Sequence, residues 1–390
     1  MAAQWLMVGE LALAGLSLAP FVLHRLNVAK WSKIPLEYPT QNSKLKLTVL
    51  LPVWNEALVI EKKLVDLAAQ EVNCDLVVVD SASDDNTLSI VESWLADFPD
   101  SFNSSKIIRM PKRLGKTPAV ILALDQMNDV DGIIVMTDAD AFLQPGSFER
   151  IQHWFSDATI GAVGGTPQRI GDLGSEKSHR DLYSVLRAGE SAFDSTPFLE
   201  GSLMAWRAGT INSSDLYPTA NADDAQIATA IRLNGLRSIH DSELIFRDYM
   251  PTTAKGHRRQ KVRRAQGLIR LLVRKRKFWF SSRVGRFSKI LRMNAWMHIF
   301  SPLLMFGAIM MSILRNISFT EEALWLSIIE MYCLVAWVLV RSQKGFLGIK
   351  IAGTILAGME SLFLAMLTTF RGKSLHIWDQ HSDVREEISK

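Results

Sequence analysis

Five short stretches carry side chains able to do chemistry. Asp138-Ala139-Asp140 sets two carboxylates one residue apart. Oxygen ligands of that kind suit a hard divalent cation, and such a cation can bridge a diphosphate. The same residues equally suit a polar turn with Asp140 capping the next element. In Asp80-Ser81-Ala82-Ser83-Asp84-Asp85-Asn86-Thr87, Asp80 is placed to accept hydrogen bonds from a base or ribose. Ser83, Asp84 and Asp85 serve as well as caps for a helix starting near Thr87. Pro111-Lys112-Arg113-Leu114-Gly115-Lys116 is a basic loop ahead of a helix. Free backbone N–H groups and the helix dipole add there to the Lys116 charge, which suits phosphate, although a solvated basic loop reads the same way. Asn221-Ala222-Asp223-Asp224 opens a further helix, where one carboxylate suffices as a cap and the second, Asp224, is free to act as a general base. Finally, Gln260, Arg263 and Arg264 share one helix face by their i, i+3, i+4 spacing. That face suits a diphosphate and an acceptor; plain electrostatic attraction to a membrane is its other use.

These residues need elements to hold them. Leu47–Leu51 reads as a buried strand and Glu56–Gln70 as a helix. Leu76–Val79, Lys106–Met110 and Gly132–Thr137 repeat the strand pattern, and Thr87–Asp97, Lys116–Met127 and Ala225–Leu233 the helical one. Short apolar strands alternating with longer helices predict an α/β domain with a largely parallel sheet. Ligands of such sheets bind beyond the carboxyl ends of the strands, which is where Asp80, Lys116, Asp138 and Asp140 fall.

The chain has 390 residues, 48% of them hydrophobic, which excludes a disordered protein and leaves room for two folding units. Its 2 cysteines exclude a disulfide framework. No Walker sequence and no Gly-x-Gly-x-x-Gly occurs, which disfavours standard ATPase and dinucleotide sites. Between Lys255 and Arg292 stand 15 Lys or Arg and no acid; the rest of the chain has 29 basic residues against 40 acidic ones. This footprint fits phosphates, and its place ahead of an apolar segment favours lipid headgroups over nucleic acid.

Trp5–Leu23 is long and apolar enough to cross a bilayer. Arg25, Lys30 and Lys33 follow it rather than precede it, which favours an uncleaved anchor over a signal peptide and puts the next domain in the cytoplasm. Ala295–Leu314, Ala323–Val340 and Ile349–Phe370 are further candidate spans. The loop with Glu321 and Glu322 reads as external and that with Arg341, Lys344 and Lys350 as cytoplasmic. Three crossings would put the tail outside, against the charges of Arg371 and Lys373, so one segment is expected to be re-entrant or interfacial. The expected organisation is an anchor over 1–25, a cytoplasmic catalytic domain over 44–254, basic interfacial helices over 255–292, a membrane region over 295–370 and a polar tail over 371–390.

In this order, Pro52-Val53-Trp54-Asn55-Glu56, the Asp80–Thr87 stretch, Arg113-Leu114-Gly115-Lys116, Asp138-Ala139-Asp140, Ala222-Asp223-Asp224 and Gln260-Lys261-Val262-Arg263-Arg264 resemble the family 2 glycosyltransferases, inverting enzymes of GT-A fold. The resemblance covers about residues 46–270 and looks like the membrane-integrated processive and lipid-linked branches. It implies a Rossmann-like nucleotide-sugar domain in which Pro52, Glu56, Asp80, Lys116 and Asp138 line the donor pocket. Asp138 and Asp140 would hold Mg²⁺ or Mn²⁺, Asp224 would be the base, and Gln260, Arg263 and Arg264 would face the acceptor and diphosphate. The implied partners are a nucleoside-diphosphate sugar (a UDP-sugar first), a lipid-linked or glycan acceptor, and membrane lipids, with no nucleic acid. Two departures matter. Arg264 stands where processive members usually have tryptophan, which removes a stacking surface for an acceptor sugar. Asp223 stands where Glu is common, which keeps the second carboxylate. The alternatives are transfer of one sugar to a polyprenyl phosphate and, more distantly, a non-catalytic nucleotide- or polysaccharide-binding scaffold.

Overall fold

The computed structural model describes residues 2–170, 175–249, 254–317, 324–342, 347–375, 377 and 382–389. Glu321, Glu322 and Lys344 lie outside them. The strands are β1 (Leu47–Val53), β2 (Cys74–Asp80), β3 (Ser104–Arg109), β4 (Ile133–Thr137), β5 (Ala141–Leu143), β6 (Ile160–Ile170), β7 (Leu203–Arg207) and β8 (Arg237–Tyr249). The helices are α1 (Ala2–Trp31), α2 (Ile60–Ala68), α3 (Thr87–Asp97), α4 (Lys116–Gln126), α5 (Ser147–Trp154), α6 (Ser175–Phe193), α7 (Asp223–Leu233), α8 (Ala254–Arg274), α9 (Phe287–Ala295), α10 (Ser301–Ile317), α11 (Leu324–Arg341), α12 (Leu347–Phe370) and α13 (Ser382–Ser389). They group into two compact units: Lys30–Asp172, Leu182–Thr252 and Ser374–Lys390 form the sheet unit, and Met1–Ala29, Leu173–Asp181 and Thr253–Lys373 the helical unit.

The sheet unit is built on one sheet in the order β3-β2-β1-β4-β7-β6-β8-β5. Alternate residues of its central strands serve opposite faces, as the two-residue period of a strand requires. Leu47, Val49 and Leu51 of β1, Leu76 and Val78 of β2, and Ile133 and Val135 of β4 pack with Ile60 and Leu64 of α2, Val91 of α3 and Phe148 of α5. Leu50, Val77, Val79, Ile134 and Met136 pack on the other side with Ala119, Val120 and Ala123 of α4 and Ile227 and Ile231 of α7. Burial on both faces explains why these strands read as continuous apolar runs.

The expectation of a largely parallel sheet holds: six of the eight strands run the same way, and β7 and β5 run against them. β3, β2, β1 and β4 are parallel neighbours. β7 is antiparallel to β4 and to β6, and β5 is antiparallel to β8, while β6 and β8 run parallel. The β3-β2-β1-β4 half is the part that the alternation of strand and helix describes. The segment 371–390, read from sequence as a polar tail, contributes a packed element to the sheet unit: Val384 and Ile388 of α13 are buried in the core cluster that holds β1 and β2. Lys62 Nζ donates to the carbonyls of Ile388 at 2.7 Å and Ser389 at 3.0 Å, a cation on the negative end of that helix.

The helical unit contains apolar helices long enough to cross a membrane. Four candidates are found among the described residues: Gln4–Trp31, Phe287–Ile317, Leu324–Arg341 and Ala352–Phe370. The second is longer than its sequence pattern because a π-helical turn at Trp296–Phe300 joins α9 to α10 without a break. Arg315 of α10, 2% exposed, pairs with Glu10 of α1 at 2.9 Å and with Glu330 of α11, and Ser327 accepts a further hydrogen bond from it at 3.2 Å. α8 and α12 lie side by side: Arg258 pairs with Glu360, Gln266 Nε2 donates to Thr368 Oγ1 at 3.1 Å, and Ala265 and Ile269 pack with Ala365 and Met366.

Candidate active site

Asp138 directly follows β4, and its neighbours come from three other segments. Lys116, the first residue of α4, sets its Nζ 2.5 Å from Asp138 Oδ1, 2.9 Å from the Gly201 carbonyl and 3.7 Å from Asp223 Oδ2. Ser202 Oγ donates to Asp138 Oδ2 at 3.2 Å, and the Ser202 carbonyl accepts from Thr137 Oγ1 at 2.9 Å. A Cβ at Gly201 would stand 3.4 Å from Lys116 Nζ and from both Cβ and Oδ2 of Asp224, an ordinary van der Waals contact that places the Gly201 backbone beside both groups. Thr117 Oγ1 donates to the Ala220 carbonyl at 2.7 Å, fixing the start of α4 to the turn that leads into α7. Asp138, Lys116, Asp223 and Asp224, far apart in sequence, therefore meet at one point.

Asp224 is half-buried, and its Oδ1 accepts from the Ala225 N–H at 2.8 Å. Burial and the adjacent Asp223 carboxylate push its pKa up to about 7. Burial opposes the Lys116 charge, but Asp138, Asp223 and Asp224 outweigh it and hold the ammonium above its usual range. Ala222, just before the pair, has φ 62°, a left-handed conformation that costs a residue with a Cβ about 1–2 kcal/mol. Asn55 at φ 55° and Ala82 at φ 59° are in the same region of backbone space. Three site loops thus each carry a strained residue.

Those other two loops meet beyond the ends of β1 and β2. Asp80 ends β2 and accepts hydrogen bonds from the N–H and hydroxyl of Ser83. Pro52 pairs with Val79 in the last turns of β1 and β2. Asp84 accepts from the Asn55 amide, and Asp85 from Ala57 N at 3.1 Å and Thr87 N at 2.9 Å. Asp84 and Asp85 therefore bind the two loops together, and Asp85 also holds Thr87, the first residue of α3. The Arg113 guanidinium stacks on the Trp54 ring, 3.3 Å from its centroid, a planar cationic surface beside these loops.

A further residue at Asp140 comes from the far end of the sheet unit's sequence. Arg385 of α13, 7% exposed, forks onto Glu56 with Nε–Oε2 at 3.0 Å and NH2–Oε1 at 2.8 Å. Its remaining nitrogen, NH1, lies 2.8 Å from Asp140 Oδ2. Burial pushes the Glu56 carboxyl up to about 7, against the pull of Arg385. Beneath the turn, the fully buried Lys63 donates to the Ala141 carbonyl and pairs with Asp66 at 3.0 Å, while Asp66 accepts from Leu143 N at 3.1 Å. Lys63 so fixes the backbone that carries Asp138 and Asp140. Its signal was a lysine on the otherwise apolar face of α2; that of Arg385 was the Val384–Ile388 pair one helical turn apart in a polar tail.

Among the described residues no group of three or more His, Cys, Asp or Glu closes around a metal position. Asp138 and Asp140 nevertheless fit a cation of the Mg²⁺ type, which uses one or two carboxylates and completes its shell with substrate phosphates and water. Each already holds a positive group, Lys116 and Arg385 respectively. Gln260, Arg263 and Arg264 are half-buried on α8, in the helical unit.

A twisted α/β sheet with carboxylates gathered where its parallel strands end is the arrangement of a GT-A glycosyltransferase. Residues 48–212 match the family model Glycosyl transferase family 2, and residues 133–340 match Glycosyl transferase family group 2. The chain belongs to this family. Among solved structures it is similar to the mannosyltransferase PcManGT from Pyrobaculum calidifontis in complex with GDP-Man and Mn²⁺, with 25% identity and a TM-score of 0.79 over 95% of this chain and 100% of that one. It also matches S. aureus TarS 1-349 in complex with UDP-GlcNAc, at 16% identity and a TM-score of 0.42 over 84% of this chain and 93% of that one, a likeness too weak to bear on function. No curated protein sequence matches it.

Proposed function

We propose that this glycosyltransferase moves a sugar, with inversion, from a nucleoside-diphosphate sugar to a lipid-linked or glycan acceptor at the cytoplasmic face of a membrane. The observation that carries the proposal is the meeting of Asp138, Lys116 and the Asp223–Asp224 pair across Gly201. GDP-mannose is the donor to test first, because PcManGT, similar over 95% of this chain, is bound to it. It thereby takes precedence over the UDP-sugar expected from the sequence. The basic residues Arg25, Lys30 and Lys33 support the cytoplasmic side.

In this reading Pro52, Glu56 and Asp80 line the nucleoside side of the pocket. Asp138 and Asp140 hold a divalent cation, Mg²⁺ or Mn²⁺, whose chemistry is to neutralise charge on the leaving diphosphate. Lys116 adds a positive charge beside it. Asp224 takes the proton of the acceptor hydroxyl as its oxygen bonds to the anomeric carbon. The bond from that carbon to the phosphate oxygen breaks, and the nucleoside diphosphate leaves with the electron pair. Gln260, Arg263 and Arg264 serve the acceptor and the diphosphate.

Arg264 in place of tryptophan favours a second reading, transfer of a single sugar to a polyprenyl phosphate. One experiment tests both. Purified protein is given radiolabelled GDP-mannose or UDP-sugars with lipid extract and Mn²⁺, and the lipid product is sized. One added sugar supports the second reading and many the first. No transfer from any donor, with an Asp224→Asn control indistinguishable from wild type, rejects both.

A further inference from the structure

Arg385 divides its guanidinium between two acids. Nε and NH2 form the fork on Glu56, a buried, bidentate and charge-assisted pair. NH1 makes a separate contact with Asp140 Oδ2 at 2.8 Å. The fork anchors the side chain, so the contact through NH1 can be exchanged without releasing the arginine. The helix that delivers it is itself fixed, by the buried Val384 and Ile388 and by Lys62 on its carbonyl end. Two cations thus flank the carboxylate pair, Arg385 on Asp140 and Lys116 on Asp138.

Charge decides what such a site admits. A bare divalent cation approaching Asp140 meets a guanidinium already seated there and an ammonium on the next carboxylate. A cation arriving with a diphosphate brings phosphate oxygens that can accept the hydrogen bond NH1 gives up. We propose that Arg385 is a positioning residue of the donor site: it holds Asp140 as a resident counter-ion and yields it only to a cation that enters together with a nucleoside diphosphate. The chain's own C-terminal helix thereby couples metal binding to donor binding. This rests on the reading of Asp138 and Asp140 as the metal carboxylates.

The test is Mn²⁺ binding to the full-length protein in detergent, read by electron paramagnetic resonance with and without GDP, for wild type and Arg385→Gln. In wild type, GDP is expected to tighten Mn²⁺ binding strongly. In Arg385→Gln, Mn²⁺ alone is expected to bind about tenfold tighter than to wild type, the size of one lost charge contact, and GDP to add correspondingly less. Arg385→Lys keeps a cation on Glu56 but has no second nitrogen for the separate contact with Asp140. Its Mn²⁺ affinity without GDP is expected to fall between wild type and Arg385→Gln, and it carries the test if the glutamine variant does not fold by circular dichroism. Folded variants with the wild-type Mn²⁺ affinity and the wild-type GDP effect overturn the role of Arg385 and leave the donor site standing. Wild type that binds neither GDP nor Mn²⁺ overturns the donor-site reading, and this proposal with it.

Discussion

Lys116 Nζ sits 2.5 Å from Asp138 Oδ1 and only 3.7 Å from Asp223 Oδ2, so one ammonium links the end of β4 to the start of α7. Removing it leaves the buried Asp223 and the partly exposed Asp138 without their shared cation. Breaking a buried pair from one side costs about 3–5 kcal/mol, and the partial exposure of Asp138 puts Lys116→Ala near the lower end. A lower melting temperature and lost GDP binding are expected, with Lys116→Arg intermediate in both. A Lys116→Ala protein that melts and binds like wild type would place the lysine outside the site.

Asp224→Asn keeps the side-chain volume and removes the base. Turnover should fall by about 10²–10⁴-fold, the usual contribution of a positioned base. Binding of the donor, measured by calorimetry, should persist. Turnover within a few-fold of wild type would move the base elsewhere.

The pH dependence has a definite sign. Asp224 titrates near 7, and only its ionised form can accept a proton, so kcat/KM should rise with pH to a plateau, with its midpoint near 7. Stability should run the other way. A carboxyl whose pKa is raised by folding favours the folded state while it is protonated, and that contribution is lost as pH rises through 7. At pH 8, Asp224→Asn should therefore melt higher than wild type while being inactive. A flat rate profile from pH 5.5 to 8.5 would contradict the assignment.

Among the apolar helices, Arg315 neutralises Glu10 and Glu330 together. Arg315→Ala strands both carboxylates in a low-dielectric setting, where losing one partner of a buried pair costs about 3–5 kcal/mol. The combined variant Glu10→Gln, Arg315→Met, Glu330→Gln removes all the charge and should recover most of that loss. Detergent melting curves compare them; a single variant no worse than the triple one would show that the cluster is not a charge balance.

The β3-β2-β1-β4 half of the sheet was legible because its strands are buried on both faces and each is followed by a helix. β1, β2, β4 and α3 were placed within a few residues. β6, β7 and β8 were not resolved, since their pairing joins segments far apart in the chain and leaves no local period. Three of the five motif stretches, at Asp80, Pro111–Lys116 and Asp138–Asp140, stand just where β2, β3 and β4 end, and that position made them legible. Arg385 and Lys63 were not, because each acts across more than 70 residues of sequence, on Asp140 and on the Ala141 carbonyl respectively. The α8 motif was legible as a helical face, but its three residues belong to a separate unit from the carboxylates.

The packing of α13 into the core of the sheet unit sets when that core can close. Val384 and Ile388 are made after the whole of Thr253–Lys373, so the apolar cluster around β1 and β2 stays open during synthesis until the last helix has emerged.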